Sequence, residues 1–262
     1  MNVILLRGLS RQSGHWGDFS VQLAAQPGIT GVFPLDLPGF GVCSDIDFPE
    51  SMPLVMAHLN KEKKNLRLLG RCCLVGLSMG GMIALEWIRN NPEDFCGVSV
   101  INSSFSDLSG LPNRLKISAA AIILQALFSR SVKKRETRIL NLTSNNYQIR
   151  KSIEANRLES LQIVKKWVEL NTEYPLRKKN IFRQLQMSGR IQSPQSVSCP
   201  ILVMAAKKDR MVNYSCSLKI AQKYRVDLHL HPSAGHDLPL DDPKWVIARL
   251  TDFFKTLNDQ RV

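Results

Sequence analysis

The sequence predicts an α/β fold, a doubly wound and mostly parallel sheet with an all-helical segment inserted before the penultimate strand. Three observations predict it. Short apolar runs alternate with amphipathic helical patterns over the first and last parts of the chain, the rhythm of parallel strands connected through helices. Between Gly110 and Ser196 that rhythm stops, and helical patterns follow one another with no strand between them. Charge divides at the same borders: this segment holds 17 Lys and Arg against 5 Glu and no Asp, and so carries +12 of the chain's net +13. With 262 residues and 44% hydrophobic content the chain can bury one sizeable core, which excludes disorder and collagen-like repetition.

The apolar run over 3–6, stopped by Arg7 and Gly8, reads as the first strand, followed by a helix over 17–26. Further strands are expected over 32–35, 72–75 and 98–101, with helices over 53–64 and 79–90 between them. The inserted segment reads as four helices, over 112–129, 131–141, 149–170 and 174–188. Cys199-Pro200 then opens a strand over 201–205, followed by a helix over 216–224, a strand over 226–230 and a closing helix over 243–257. In that last helix Val246, Leu250, Phe253, Phe254 and Leu257 fall at i, i+4, i+7, i+8 and i+11, one apolar face. The division expected is a core over 1–109 and 197–262, with a basic helical lid over 110–196 between its two parts.

Six cysteines are too few for a disulfide framework in a chain this long, and none has CxxC or Cys/His metal spacing. Reduced thiols, a cytoplasmic location and no metal or organic cofactor are the expectations. The N-terminus lacks the basic start, longer apolar stretch and cleavage site of a signal peptide, and the longest unbroken apolar run, 119–124, is far short of a membrane span.

Gly76-Leu77-Ser78-Met79-Gly80-Gly81 stands where a strand gives way to a helix. Glycines two before and two after the serine permit a tight, strained turn that lifts the Ser78 hydroxyl above the sheet edge, over a helix N-terminus that favours developing negative charge. A serine is a poor nucleophile at neutral pH, so a base and an orienting acid are required. His236 is the expected base, because its loop follows the last strand and precedes the last helix. His15, His58, His229 and His231 read as surface or packing residues, with His15 in a loop that could also border the site. Asp209, just after the strand over 201–205, is the expected acid, with Asp107 in reserve. An oxyanion needs preorganised donors, and the backbone amides of Met79 and Leu9 are the candidates, with Gly8 allowing close approach.

These residues, with the Asp36-Leu-Pro-Gly-Phe-Gly41 turn and Gly235-His236, resemble the α/β-hydrolase superfamily. Within it the chain looks like the small capped carboxylesterases that include the pimeloyl-acyl-carrier-protein methyl ester esterases. The resemblance covers 3–105 and 200–254; in the lid only helical character and basic charge are shared. It implies hydrolysis of an acyl ester through an acyl-enzyme on Ser78, and docking of an acidic acyl carrier protein on basic lid residues, here Arg135, Arg138, Lys165, Lys166 and Arg183. Two departures stand out. Most relatives have His-Gly where this chain has Arg7-Gly8, and most have a hairpin before the first central strand, which here starts at residue 3.

The same triad would also serve an acyl thioesterase or a lysophospholipase-type lipase, and a catalytically silent binding module is the rival from another class. A haloalkane dehalogenase is disfavoured, since it needs a carboxylate where Ser78 stands. Nucleic acid is an unfavoured partner despite the basic charge: no helix-turn-helix, zinc or RNP pattern is present and aromatic residues make up 7%. Peripheral contact with an anionic membrane fits better, since basic residues flank the apolar run over 119–124.

Overall fold

The computed structural model describes residues 1–148 and 154–259. Six strands form one sheet: β1 (Asn2–Leu6), β2 (Gly31–Leu35), β3 (Cys72–Leu77), β4 (Phe95–Ile101), β5 (Ile201–Ala206) and β6 (Leu228–His231). Their order is β2-β1-β3-β4-β5-β6, and every pairing is parallel. The six expected strands are the six observed, and the sheet is wholly parallel. The last one is displaced, starting at Leu228 rather than 226, because Val226 still bonds back to Ala221 at the end of the preceding helix.

Alternation along the strands sends successive side chains to opposite faces. Ile4, Leu6, Cys72 and Leu74 enter one buried cluster, with Val55, Leu59, Ile83 and Ile220 from helices α2 (Met52–Asn65), α3 (Met79–Asn90) and α9 (Ser215–Tyr224). Val3, Leu5, Cys73 and Val75 enter the other, with Phe19 and Leu23 of α1 (Asp18–Ala24) and Val246, Leu250, Phe254 and Leu257 of α11 (Pro243–Asp259). Every residue of β3 and β4 is buried, as strands covered on both faces must be.

Between β4 and β5 the chain is helical: α4 (Leu111–Arg114), α5 (Ile117–Leu127), α6 (Val132–Thr143), α7 (Glu154–Glu173) and α8 (Lys178–Arg190). The single helix expected over 112–129 is two. Leu115 and Lys116 are extended because tertiary bonds outcompete the helix there: Lys116 N donates to Met211 O at 2.9 Å, its Nζ to Asp209 O at 2.5 Å, and Arg114 reaches Gly189 O at 3.0 Å. The helix expected from 174 begins at Lys178: Pro175 disfavours helical backbone at Tyr174, and Arg177 is extended at the N-cap. Ser131 caps α6, its Oγ accepting from Lys134 N at 3.3 Å. The first residues of the helix expected over 149–170, up to 153, lie outside the described residues.

Among the described residues, the helical segment between β4 and β5 has little core of its own. Leu140, Val164 and Trp167 form a small buried cluster, whereas Ala119, Ile123, Leu127, Leu142, Ile181 and Met187 join the main cluster under α2 and α3. A short helix α10 (Leu238–Asp241) precedes α11. Among the described residues no helix is long and apolar enough to cross a membrane.

Candidate active site

Ser78 lies between the end of β3 and the first residue of α3, with φ 58° and ψ −122°. A serine at positive φ is strained by about 1–3 kcal/mol and persists only where its surroundings impose it. They do so here: Ser78 N donates to Ile101 O at 2.8 Å, and Ser78 O accepts from Gly81 N at 3.0 Å and Ser103 Oγ at 2.7 Å. A Cβ at Gly80 would overlap the Leu6 carbonyl, so glycine alone lets α3 start against the end of β1. Gly8 packs on the serine itself, where a Cβ would stand 3.0 Å from Ser78 Cβ. The loop carrying the Leu9 amide therefore runs beside the hydroxyl, and Met79 is the first residue of α3, where backbone N–H groups lack helical partners.

His236 follows β6, and its Nδ1 is 2.6 Å from Asp209 Oδ2, with both residues buried. The other oxygen, Asp209 Oδ1, accepts from Met211 N at 2.7 Å and Val212 N at 3.0 Å, which fixes the carboxylate toward the imidazole. A neutral ring with its proton on Nδ1 leaves the Nε2 lone pair free. Ser78 and His236 line one cavity of about 70 Å³, together with Leu9, Ile123, Leu127 and Met211. That is room for a handful of waters or a short acyl group. The reserve acid Asp107 lies elsewhere, accepting from Ser193 N and Oγ at 2.8 and 2.5 Å.

Residues 3–249 match the model of the Alpha/beta hydrolase family. The chain belongs to that family. None of the curated proteins compared matches it. Among solved structures it is similar to an enol-lactonase from Burkholderia xenovorans LB400 (TM-score 0.75, 14% identity, covering 97% of this chain and 91% of that one). An esterase from Exiguobacterium antarcticum gives a TM-score of 0.74 at 15% identity, covering 97% and 92%. A thermophilic esterase from Thermogutta terrifontis gives 0.70 at 16%, covering 98% and 90%. At such identities the likeness concerns the fold.

In this alpha/beta hydrolase the departure at Arg7 has a visible consequence. Arg7 Nη1 and Nη2 donate to Asp237 Oδ1 and Oδ2 at 3.1 and 2.6 Å, a two-pronged pair with each side chain 4% exposed, and the guanidinium lies 4.9 Å from the Trp16 ring centre. Arg7 precedes Gly8 and Asp237 follows His236, so one ion pair joins the loop beside the nucleophile to the histidine loop. Asn102, with φ 46° at the end of β4, is a second brace. Its Nδ2 donates to His236 O at 2.8 Å and its Oδ1 accepts from Ala206 N at 2.8 Å. A third is Asp241, which accepts from Gly235 N at 2.6 Å, Ser144 Oγ at 2.5 Å and Asn145 N at 2.9 Å, tying the histidine loop to the end of α6. Burial pushes its carboxyl above the usual range, against hydrogen bonds that favour the ionised form. Sequence reasoning missed all three. Only Arg7 left a signal, as a departure from the pattern of the family the sequence resembles.

Three of the other histidines have identified partners. His231 Nε2 is 3.1 Å from Asp242 Oδ2 and His58 Nε2 is 3.3 Å from Asp36 O. His15 is buried, its ring 5.4 Å from that of Trp167 and its Nε2 2.8 Å from Arg11 Nη1. Burial, and then the charges of Arg11 and Arg7, hold it well below the histidine value of 6.5, so it accepts from Arg11 as a neutral ring.

The five residues singled out for carrier docking differ in their surroundings. Arg135 turns inward, its Nε donating to Glu136 Oε1 at 3.1 Å, and lines the cavity. Arg183 binds back to the core, to Glu50 Oε1 at 2.6 Å and Phe48 O at 3.1 Å. Arg138 is half-buried, and Lys165 and Lys166 are exposed on α7.

Proposed function

We propose that this alpha/beta hydrolase is a serine hydrolase of carboxylic esters. The reading rests above all on the 2.6 Å contact from His236 Nδ1 to Asp209 with the strained Ser78 lining the same cavity as the imidazole. Ser78 Oγ attacks the ester carbonyl carbon as His236 Nε2 takes its proton, giving a tetrahedral intermediate whose oxyanion is received by the Met79 and Leu9 amides. Collapse breaks the bond to the alcohol oxygen, which takes the proton from His236 and leaves an acyl ester on Ser78. Water, deprotonated by the same imidazole, attacks the acyl carbon, and Ser78 departs with the proton as the carboxylic acid is released.

Two features support the roles. The N-terminal end of α3 under Ser78 favours the developing negative charge by about 0.3–1 kcal/mol or more when desolvated. The bonds from Met211 and Val212 to Asp209 keep that carboxylate an acceptor toward Nδ1–H, the tautomer a general base requires. The test is hydrolysis of short-chain p-nitrophenyl esters. Wild type is expected to turn them over and Ser78→Ala to lose about 10⁴-fold or more in kcat; an equal rate in the two proteins would rule the mechanism out.

A further inference from the structure

The cavity beside Ser78 is apolar on its α5 side and charged on the other, where Arg7, Arg11, Arg135, Glu136 and Asp237 line it. Arg7 and Asp237 neutralise one another. The remaining three do not balance. Glu136, 1% exposed, takes Arg11 Nη1 on Oε2 at 2.7 Å and Arg135 Nε on Oε1 at 3.1 Å, with Asn171 Nδ2 also on Oε1 at 3.0 Å. One carboxylate thus serves two guanidinium groups. Arg11 Nη1 spends its two hydrogens on Glu136 and the neutral His15, while Nη2 is buried and has no acceptor among the described residues. The guanidinium carbon lies 4.3 Å from the Trp167 ring centre, a contact that orients the group without supplying an oxygen. With one carboxylate shared between two guanidinium groups, one positive charge is left over beside the cavity, and an anion placed there would gain charge-assisted hydrogen bonds.

We propose that the cavity takes an acyl group bearing a second, free carboxylate, received by Arg11 with Arg135, so that the preferred substrates are monoesters of short dicarboxylic acids. The proposal rests on the serine-hydrolase reading above. The acyl portion is assigned because it stays bound through both halves of that reaction, whereas the alcohol leaves after the first. A cavity of about 70 Å³ suits a short chain between the two carbonyl groups. Arg11 follows Gly8, Leu9 and Ser10 on the loop beside the nucleophile, and Ser10 N is fixed by Gln184 Oε1 at 2.8 Å. The distance from anchor to Ser78 is therefore set by the same loop that carries the Leu9 amide.

The experiment compares mono-p-nitrophenyl adipate with p-nitrophenyl hexanoate, which share a leaving group and six-carbon acyl length but differ in terminal charge. Wild type is expected to favour the adipate ester in kcat/KM by about tenfold or more, the worth of one charge-assisted hydrogen bond. In Arg11→Gln that ratio is expected to fall toward one, and the ratio does not depend on how much of the variant is folded. Arg135→Gln, on the less buried partner, supplies the same readout should Arg11→Gln yield no protein. Adipate is expected to inhibit hexanoate ester hydrolysis more strongly than hexanoate does. Turnover of both esters with a ratio near one in wild type would overturn the proposal while leaving the serine-hydrolase reading intact, as would a ratio unchanged in both variants. A preference found only with the carboxylate on the alcohol portion would overturn its placement. No turnover of either ester, together with an unreactive Ser78, would overturn both readings.

Discussion

At the scale of single residues, the site is held by groups whose pairing can be tested one at a time. Asp209→Asn would keep the shape of the orienting side chain but present an amide to His236 Nδ1 and favour the wrong tautomer. A fall of about 10⁴-fold in kcat is expected for ester hydrolysis with little change in melting temperature; a loss of less than tenfold would remove Asp209 from the role. For the Arg7 and Asp237 pair, removing either partner leaves a buried charge alone, at a cost of about 3–5 kcal/mol. Arg7→Met and Asp237→Leu should each destabilise by roughly that amount in urea unfolding, and the double variant by less than the sum. Simple additivity would show that the pair is not coupled. His15 gives a pH signature. Its folded-state value is depressed, so below about 6.5 the unfolded chain gains a proton that the folded one refuses, and its contribution, present above 6.5, is lost as pH falls. His15→Gln, whose carbonyl can still accept from Arg11, should therefore flatten the fall in Tm between about pH 7.5 and 5.5. A parallel pair of Tm curves would contradict the depressed value.

At the scale of elements, legibility in the sequence followed how far local pattern decided the outcome. The strands were legible because a run such as Cys72–Leu77 is buried on both faces and needs continuous apolar character. Helix α11 was legible because its apolar stripe faces a single cluster. Leu250, fully buried in it, should cost about 2–5 kcal/mol as Leu250→Ala, read as a loss of urea midpoint without loss of slope. Lid boundaries were not legible where distant partners set them. No periodicity in 112–129 reports that Lys116 will bond to Met211 and Asp209 and break the helix. The glycine-flanked Ser78 declared itself locally, whereas the Arg7–Asp237 pair spans 230 positions and depends on the finished fold.

At the scale of the whole molecule, the sequence divides the chain into core, lid and core, by charge and by rhythm, yet the packing joins them. Ile123, Leu127, Leu142 and Ile181 of the lid share a cluster with Leu59, Ile83 and Ile4, and Asp241 ties α6 to the histidine loop. Lid and sheet should consequently unfold together. Tryptophan fluorescence, which samples Trp167 in the lid and Trp16, Trp87 and Trp245 in the core, and far-ultraviolet circular dichroism should give coincident urea transitions; a lid transition well before the main one would contradict a shared core. The basic excess of the lid has a related reading. Part of it is turned inward, with Arg11 of the core, toward the cavity that holds Ser78 and His236, and is not all displayed to solvent.

Three residues 78, 209 and 236, drawn from the ends of β3, β5 and β6, are the centre of the account, and covalent capture of the first tests it most directly. A fluorophosphonate probe followed by peptide mass analysis should place one adduct per chain on Ser78, and the rate of labelling should collapse in His236→Ala. An adduct on another residue, or equal labelling rates with and without the imidazole, would contradict it.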